Sequence, residues 1–251
     1  MNPNIDPYWR SNNMLNGVDE DTPIFKFMPI NYAAMMIQNH QLVMGRVSTW
    51  EDVYENYVLK QNYFMPDGTP VDVINQAAGI FGQCWSLKPD SDAMWRIYSP
   101  NKDAIRIRTT VGKLFDTLYV TNNNMADTYI GRVLYQDQAQ IDADIQRISP
   151  VSGQDFLHNM VTGAFVKRRE FDHEDEVRIV RILDSHDTLL AGNLLSFPIN
   201  QNFIEELCID PRAETQEEQD YRAQLIASGA PPAIITKSQL YQFNSHQISF
   251  Q

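Results

Sequence analysis

The stretch that most constrains this chain runs from Lys167 to Leu183 and reads KRREFDHEDEVRIVRIL. It is the densest run of charge in the sequence, and it leads directly into an apolar strand. A strand beginning near Glu174 puts Glu174, Glu176, Arg178 and Val180 on one face, because successive side chains alternate. Val177, Ile179 and Leu183 then point to the other. Two carboxylates and a guanidinium in a row at the head of a strand make a binding edge. The same pattern also describes a salt-bridged sheet edge kept soluble by charge. Spacing alone leaves both readings open.

The chain has 251 residues, 43% of them hydrophobic and 11% aromatic, enough to bury a core and to exclude wholesale disorder. Its formal charge of -12 repels phosphate backbones, so general nucleic-acid binding is disfavoured. No apolar run reaches the length of a membrane span. Residues Met1 to Arg10 carry no apolar core of a signal peptide. Cys84 and Cys208 are the two cysteines, which without a secretion signal predicts reduced thiols and a cytoplasmic location.

Residues 1–23, rich in Asn, Asp and Pro, read as an N-terminal arm, and 24–251 as a single domain. Strands are expected over 24–28, with Phe25 and Phe27 opposite Lys26, and over 42–44, 80–86, 103–110, 129–135, 233–236 and 240–243. In the fourth of these, Ile105, Ile107 and Thr109 alternate with Arg106 and Arg108. Helices are expected over 32–39, 49–55, 71–80, 93–98, 152–166 and 215–227, capped at Asn31, Thr49, Ser152 and Thr215. In the helix over 93–98, Met94, Ile97 and Tyr98 should face inward. Strands interleaved irregularly with helices predict an α+β fold with a mixed, mostly antiparallel sheet system.

Several chemistries find no motif here. Neither a Walker loop nor G-x-G-x-x-G occurs, nor a G-x-S-x-G elbow, nor H-E-x-x-H. His173, between Asp172 and Glu174, is a metal-ligand type in what reads as an exposed charged loop, and no metal is expected. Cys84 lies in an apolar strand, where a thiol is inert.

Taken in order, Phe25-Lys26-Phe27, Trp50 to Glu55, Cys84-Trp85-Ser86, Met94-Trp95-Arg96-Ile97-Tyr98, Lys167, Glu174 to Arg178 and Ile204 to Pro211 resemble a large uncharacterised bacterial family, a domain of unknown function. The likeness runs over about residues 24–241. It departs from the family pattern at Trp50-Glu51, at Val53 and at Asn101-Lys102-Asp103, where a glycine loop is expected. A weaker resemblance is to mono-ADP-ribosyltransferases. It implies an ADP-ribosyltransferase-like fold and NAD as substrate, with Lys26 and Ser86 positioning NAD and Glu176 or Glu174 holding the nicotinamide ribose. Lys26 stands where that family has Arg or His, and cannot make the planar two-pronged contact. Around such a site Arg106, Arg108 or Arg178 would hold the pyrophosphate. Trp85, Trp95 and Tyr98 would offer stacking surfaces, and Lys167 completes the ligand-binding set.

Three function classes follow. The first is an NAD-using ADP-ribosyltransferase-like or NAD glycohydrolase protein, a bacterial toxin or defence effector, whose acceptor is a small nucleotide or a protein. The second is a non-catalytic module that binds a nucleotide or a protein. The third is a metal-dependent nuclease using Asp172, His173, Glu174 and Glu176. The first two need no membrane. The third needs a basic groove able to offset the net charge.

Overall fold

A computed structural model describes residues 12–52, 54–55, 57–71, 79–122, 128–148, 153–183 and 192–247. They fall into two units, one made of the described residues within 12–24, 40–87 and 109–203, the other of those within 25–39, 88–108 and 204–247. The strands are β1 (Met14–Leu15), β2 (Pro23–Pro29), β3 (Gln41–Arg46), β4 (Tyr63–Phe64), β5 (Pro70–Val71), β6 (Ile80–Ser86), β7 (Ala104–Thr110), β8 (Thr128–Arg132), β9 (Leu134–Gln136), β10 (Val166–Arg168), β11 (Glu176–Ile182), β12 (Leu194–Pro198), β13 (Glu206–Ile209) and β14 (Ile235–Lys237). The helices are α1 (Ile30–Asn39), α2 (Asp92–Tyr98), α3 (Val111–Asn122), α4 (Gln138–Arg147), α5 (Gly153–Gly163) and α6 (Thr215–Ala227). The fold is α+β, and most of its strand pairs are antiparallel.

In the first unit the strands run β1-β8-β11-β6-β3-β12, parallel only between β1 and β8. β11 lies inside this sheet, paired on both sides. Val177, Ile179 and Val180 are fully buried, and so is Arg178. The exposed salt-bridged edge offered by the sequence is therefore not what forms. A two-stranded parallel ribbon, β9 with β10, stands beside β11. Val180 joins a core with Ile80, Ile141, Met160, Val161 and Phe165. The segment before β2 is tied down: β1 pairs with β8, and the buried Asn13 amide donates to the Thr128 carbonyl at 2.8 Å.

In the second unit β7 lies between β2 and β13, and β13 pairs in parallel with β14. Phe25 and Phe27 pack with Met94, Trp95 and Ala104. Helix α1 buries Ile30, Ala33, Ala34, Met36 and Ile37, a stripe of helical period.

Several expectations need correcting. Asn31 lies inside α1, which starts at Ile30, and Thr49 caps no helix. It ends a single 3-10 turn, and its hydroxyl donates to the Arg46 carbonyl. The strand expected over 129–135 is two, β8 and β9, separated at Val133. On α2, Met94 and Trp95 turn inward, while Ile97 and Tyr98 are exposed. Helix α6 is capped by Glu214, one residue before Thr215, in a reciprocal box with Glu217. Residues 240–243 form no strand. Most of the helix expected over 71–80, and its cap Ser152 in the case of α5, lie outside the described residues.

Candidate functional site

The charged stretch does not begin a strand at Glu174. After β10 the chain makes a 3-10 turn, Arg169–Glu174, and Asp175 takes the left-handed conformation at φ 44°. Asp tolerates that region better than most residues. The Asp175 N–H bonds the Asp172 carbonyl, and the Leu87 N–H bonds the Asp175 carbonyl. This reversal brings Lys167 of β10 back against Glu176 of β11. The Ser86 hydroxyl, from the strand opposite, donates to the Glu174 carbonyl at 2.6 Å and pins the turn.

Five ionisable side chains meet there. Lys167 Nζ lies 2.6 Å from Glu174 Oε2, 2.8 Å from Glu176 Oε1 and 3.4 Å from Glu55 Oε1. Arg178 Nε donates to Glu176 Oε2 at 2.6 Å, its Nη2 to Glu55 Oε1, and its Nη1 to the Ala164 carbonyl at 2.9 Å. The Trp50 ring covers the Arg178 guanidinium at 4.6 Å, and Phe171 covers Lys167 at 4.8 Å. Arg168 pairs with Asp52 at 2.9 Å beside this group. The Tyr135 hydroxyl accepts from the Glu176 N–H at 2.9 Å. The side chains are nearly closed off: Arg178 is 0% exposed, Glu176 5%, and Lys167 and Glu174 9% each.

Removing an ion from water costs several kcal/mol, so such a group exists only where each charge is answered. Three carboxylates face two cations, leaving one negative charge too many if all ionise. Glu174 is the carboxyl that gives way. Burial, and then its hydrogen bond with Glu176, push its pKa up to about 7. Glu176 goes the other way. Burial works to raise it, but the Arg178 charge, the hydrogen bond with Glu174 and Lys167 outweigh burial and hold it well below the usual carboxylate range. Burial works against the Lys167 charge, yet the two glutamates raise its pKa above that of a free lysine. Burial and the Glu176 charge keep the Tyr135 phenol protonated. Two touching carboxyls thus have pKa values driven in opposite directions, Glu176 down and Glu174 up to about 7.

Of the residues singled out from the sequence, Glu174, Glu176, Lys167, Arg178 and the Ser86 hydroxyl come together in the first unit. Trp85 belongs to the same strand as Ser86 but to its other face. Its indole N–H donates to Gln83 Oε1 at 2.8 Å, and it packs edge-on against Phe203. Lys26, Trp95, Tyr98, Arg106 and Arg108 belong to the second unit. Trp95 is a core residue there, set edge-on to Phe27 with its N–H on Asp90, so its faces are already packed. Tyr98 stacks on Phe27, Arg106 pairs with Glu206 at 2.6 Å, and Arg108 with Glu205 at 3.2 Å. Sequence reasoning missed Glu55, Tyr135, Trp50 and the Arg168–Asp52 pair. Glu55 ends the Trp50–Glu55 segment that carries the family resemblance, the one signal that marked it. Among the described residues no three His, Cys, Asp or Glu side chains are gathered as a metal site.

A protein family of unknown function, DUF2971, matches residues 94–179, a stretch that holds Lys167, Glu174, Glu176 and Arg178 but not Glu55 or Ser86. No curated protein matches the chain. Solved structures similar to it include Thermus sp. 2.9 DarT in complex with NAD+, at 10% identity and TM-score 0.40, over 89% of this chain and 98% of that one. The same protein in complex with carba-NAD+ matches at 10% identity and TM-score 0.37, over 88% and 96%. Its complex with ADP-ribosylated ssDNA matches at 9% and 0.39, over 89% and 97%.

Proposed function

We propose that this protein cleaves the N-glycosidic bond of NAD, as an ADP-ribosyltransferase-like or NAD glycohydrolase enzyme, with Glu176 and Glu174 as its catalytic carboxylates. The observation that carries the reading is a pair of carboxyls in hydrogen-bond contact, bound to shared Lys167 and with pKa values driven in opposite directions, because glycosyl chemistry uses two carboxyls with different tasks. Loss of nicotinamide sends the bonding electron pair to the pyridine nitrogen and neutralises it, so the leaving group needs no acid. Positive charge develops on the ribose C1′. Glu176, fixed as an anion by Arg178 and Lys167, stabilises that charge without reorganising. Glu174, with a pKa near 7, takes the proton from the attacking water or acceptor hydroxyl as the new C1′–O bond forms. The family resemblance of the sequence supports the same assignment of Glu176.

The test is nicotinamide release from NAD by wild type, Glu176→Gln and Glu174→Gln, with acceptors supplied from lysate. Glu176→Gln should lower kcat by at least about a hundredfold, the scale of losing one transition-state charge partner. Glu174 acts as a base, so kcat/KM should rise with pH through about 7 and lose that limb in Glu174→Gln. Absence of turnover in wild type defeats the proposal.

The closure of the cluster favours a second reading. With Arg178 fully buried and Glu176 only 5% exposed, the same five side chains can serve as a rigid ionic frame for a non-catalytic binding module. In that case nucleotide binds without nicotinamide release, and Glu176→Gln changes thermal stability alone.

A further inference from the structure

The β9/β10 ribbon has two faces. Tyr135 and Lys167 reach the carboxylate cluster, and the alternate residues Leu134, Gln136 and Val166 line a separate cavity of about 450 Å³. That volume suits a ligand of mononucleotide size. The cavity is closed further by Val58, Ile148 and Phe165, which give apolar walls. Asn16, Asn159 and Thr162 also line it, and its charged groups are Asp144 and Arg147, which pair at 3.2 Å. Asp144 and Gln136 offer acceptors, while Arg147, 78% exposed, and the exposed His158 offer donors at the mouth.

The acceptor end has spare capacity. Asp144 accepts from Gln136 Nε2 at 2.9 Å through Oδ2 and from Arg147 at 3.2 Å through Oδ1. A carboxylate has about four acceptor positions, which leaves two. The Gln136 carbonyl Oε1 is buried and has no hydrogen-bond partner among the described residues. A buried acceptor left so is a desolvation cost to the fold, which a ligand N–H recovers. Tyr57, also on the wall, is kept a neutral phenol by burial and by the Asp144 charge, its pKa pushed up to about 12.

We propose that this cavity binds a purine nucleoside monophosphate, its base seated between the apolar walls with N–H groups on Asp144 and Gln136, and its phosphate at Arg147 and His158. The planar base matches the apolar walls, its amino edge the surplus of acceptors, and its phosphate the cationic mouth. The site does not depend on the NAD reading, since it uses none of the cluster side chains.

Calorimetric titration with AMP and GMP, and with adenosine as the phosphate-free control, tests it. Wild type should be saturated by AMP or GMP, with adenosine weaker. Asp144→Ala removes the acceptor, and Thr162→Trp fills the cavity from an exposed position on α5. Each should weaken binding by at least about tenfold while leaving the melting temperature near that of wild type. Glu176→Gln should bind as wild type does. Failure of both nucleotides to saturate wild type overturns the proposal, as does unchanged affinity in Thr162→Trp. Binding lost in Glu176→Gln but kept in Asp144→Ala would put the nucleotide at the carboxylate cluster and overturn the cavity assignment, while leaving the NAD reading standing.

Discussion

The chemistry of the cluster comes down to which carboxyl holds the surplus proton. Glu176 has Arg178 Nε at 2.6 Å and Lys167 at 2.8 Å, whereas Glu174 pairs with Lys167 at 2.6 Å. The proton therefore goes to Glu174, and its pKa becomes a statement about stability. In the unfolded chain Glu174 loses its proton near 4.5; in the fold it does so near 7. Between those values the folded state holds the extra proton, so the stability from Glu174 is fully present below the unfolded pKa and is lost as pH rises through the folded one. Wild type should thus lose stability relative to Glu174→Gln between about pH 4.5 and pH 7, and run parallel to it above. Urea midpoints of both proteins across that window decide it. Parallel curves throughout would show that Glu174 is not the proton's home.

The elements show which of these contacts a sequence can announce. Period-2 alternation was legible where one face of a strand meets a core: Phe25 and Phe27 of β2, and Ile105, Ile107 and Thr109 of β7, are buried as expected, although Arg106 on the other face of β7 is buried as well and only Arg108 is exposed. It failed at β11, because a strand paired on both sides in a covered sheet buries both faces, and charge in the sequence then says nothing about exposure. The same-face placing of Glu176 and Arg178 survived, since it needs only the alternation. The reversal at Asp175 was not legible, because it rests on a left-handed residue and on the hydroxyl of Ser86, far away in the chain. Glu55 reaches Arg178 across 123 positions, a contact that no local period encodes. Helix α4 had a signal that went unread, the reciprocal box of Asp137 and Gln140. Two glycines carry element-level tests. A Cβ at Gly131 in β8 would stand 2.8 Å from the Leu15 Cβ and 2.9 Å from the Leu15 carbonyl of the paired β1. A Cβ at Gly82 in β6 would meet the Trp50 indole at 2.7 Å. Backbone yields less readily than a ring, so Gly131→Ala should release β1, seen as lost hydrogen-exchange protection at Met14 and Leu15. Gly82→Ala should tilt Trp50 off Arg178, costing about 2 kcal/mol, the scale of a desolvated cation–π contact. Unchanged protection in the first variant, or unchanged Trp50 fluorescence in the second, would refute the respective contact.

At the scale of the whole molecule two kinds of electrostatics coexist and respond oppositely to salt. The surface carries most of a formal charge of -12, and like charges on a folded chain repel one another. The cluster lies nearly closed off beneath Trp50 and Phe171, where mobile ions screen it far less than they screen the surface. Raising ionic strength from about 0.01 M to about 0.15 M shortens the screening length from ~30 Å to ~8 Å, which relieves surface repulsion and leaves buried pairs nearly untouched. Arg178→Lys separates the two. Lysine keeps the charge but cannot reach Glu176, Glu55 and the Ala164 carbonyl together, so it leaves buried acceptors unanswered. Breaking one side of a buried pair costs about 3–5 kcal/mol, a large share of the stability of an ordinary domain. Wild type and Arg178→Lys should therefore both gain in melting temperature as salt is added, by the same amount, and the gap between them should not close. A gap that shrinks with salt would mean that ions reach Arg178. The cluster would then be an open surface network, and neither its fixed Glu176 anion nor the raised pKa that suits Glu174 to act as a base near pH 7 would hold in the form that the proposed chemistry needs.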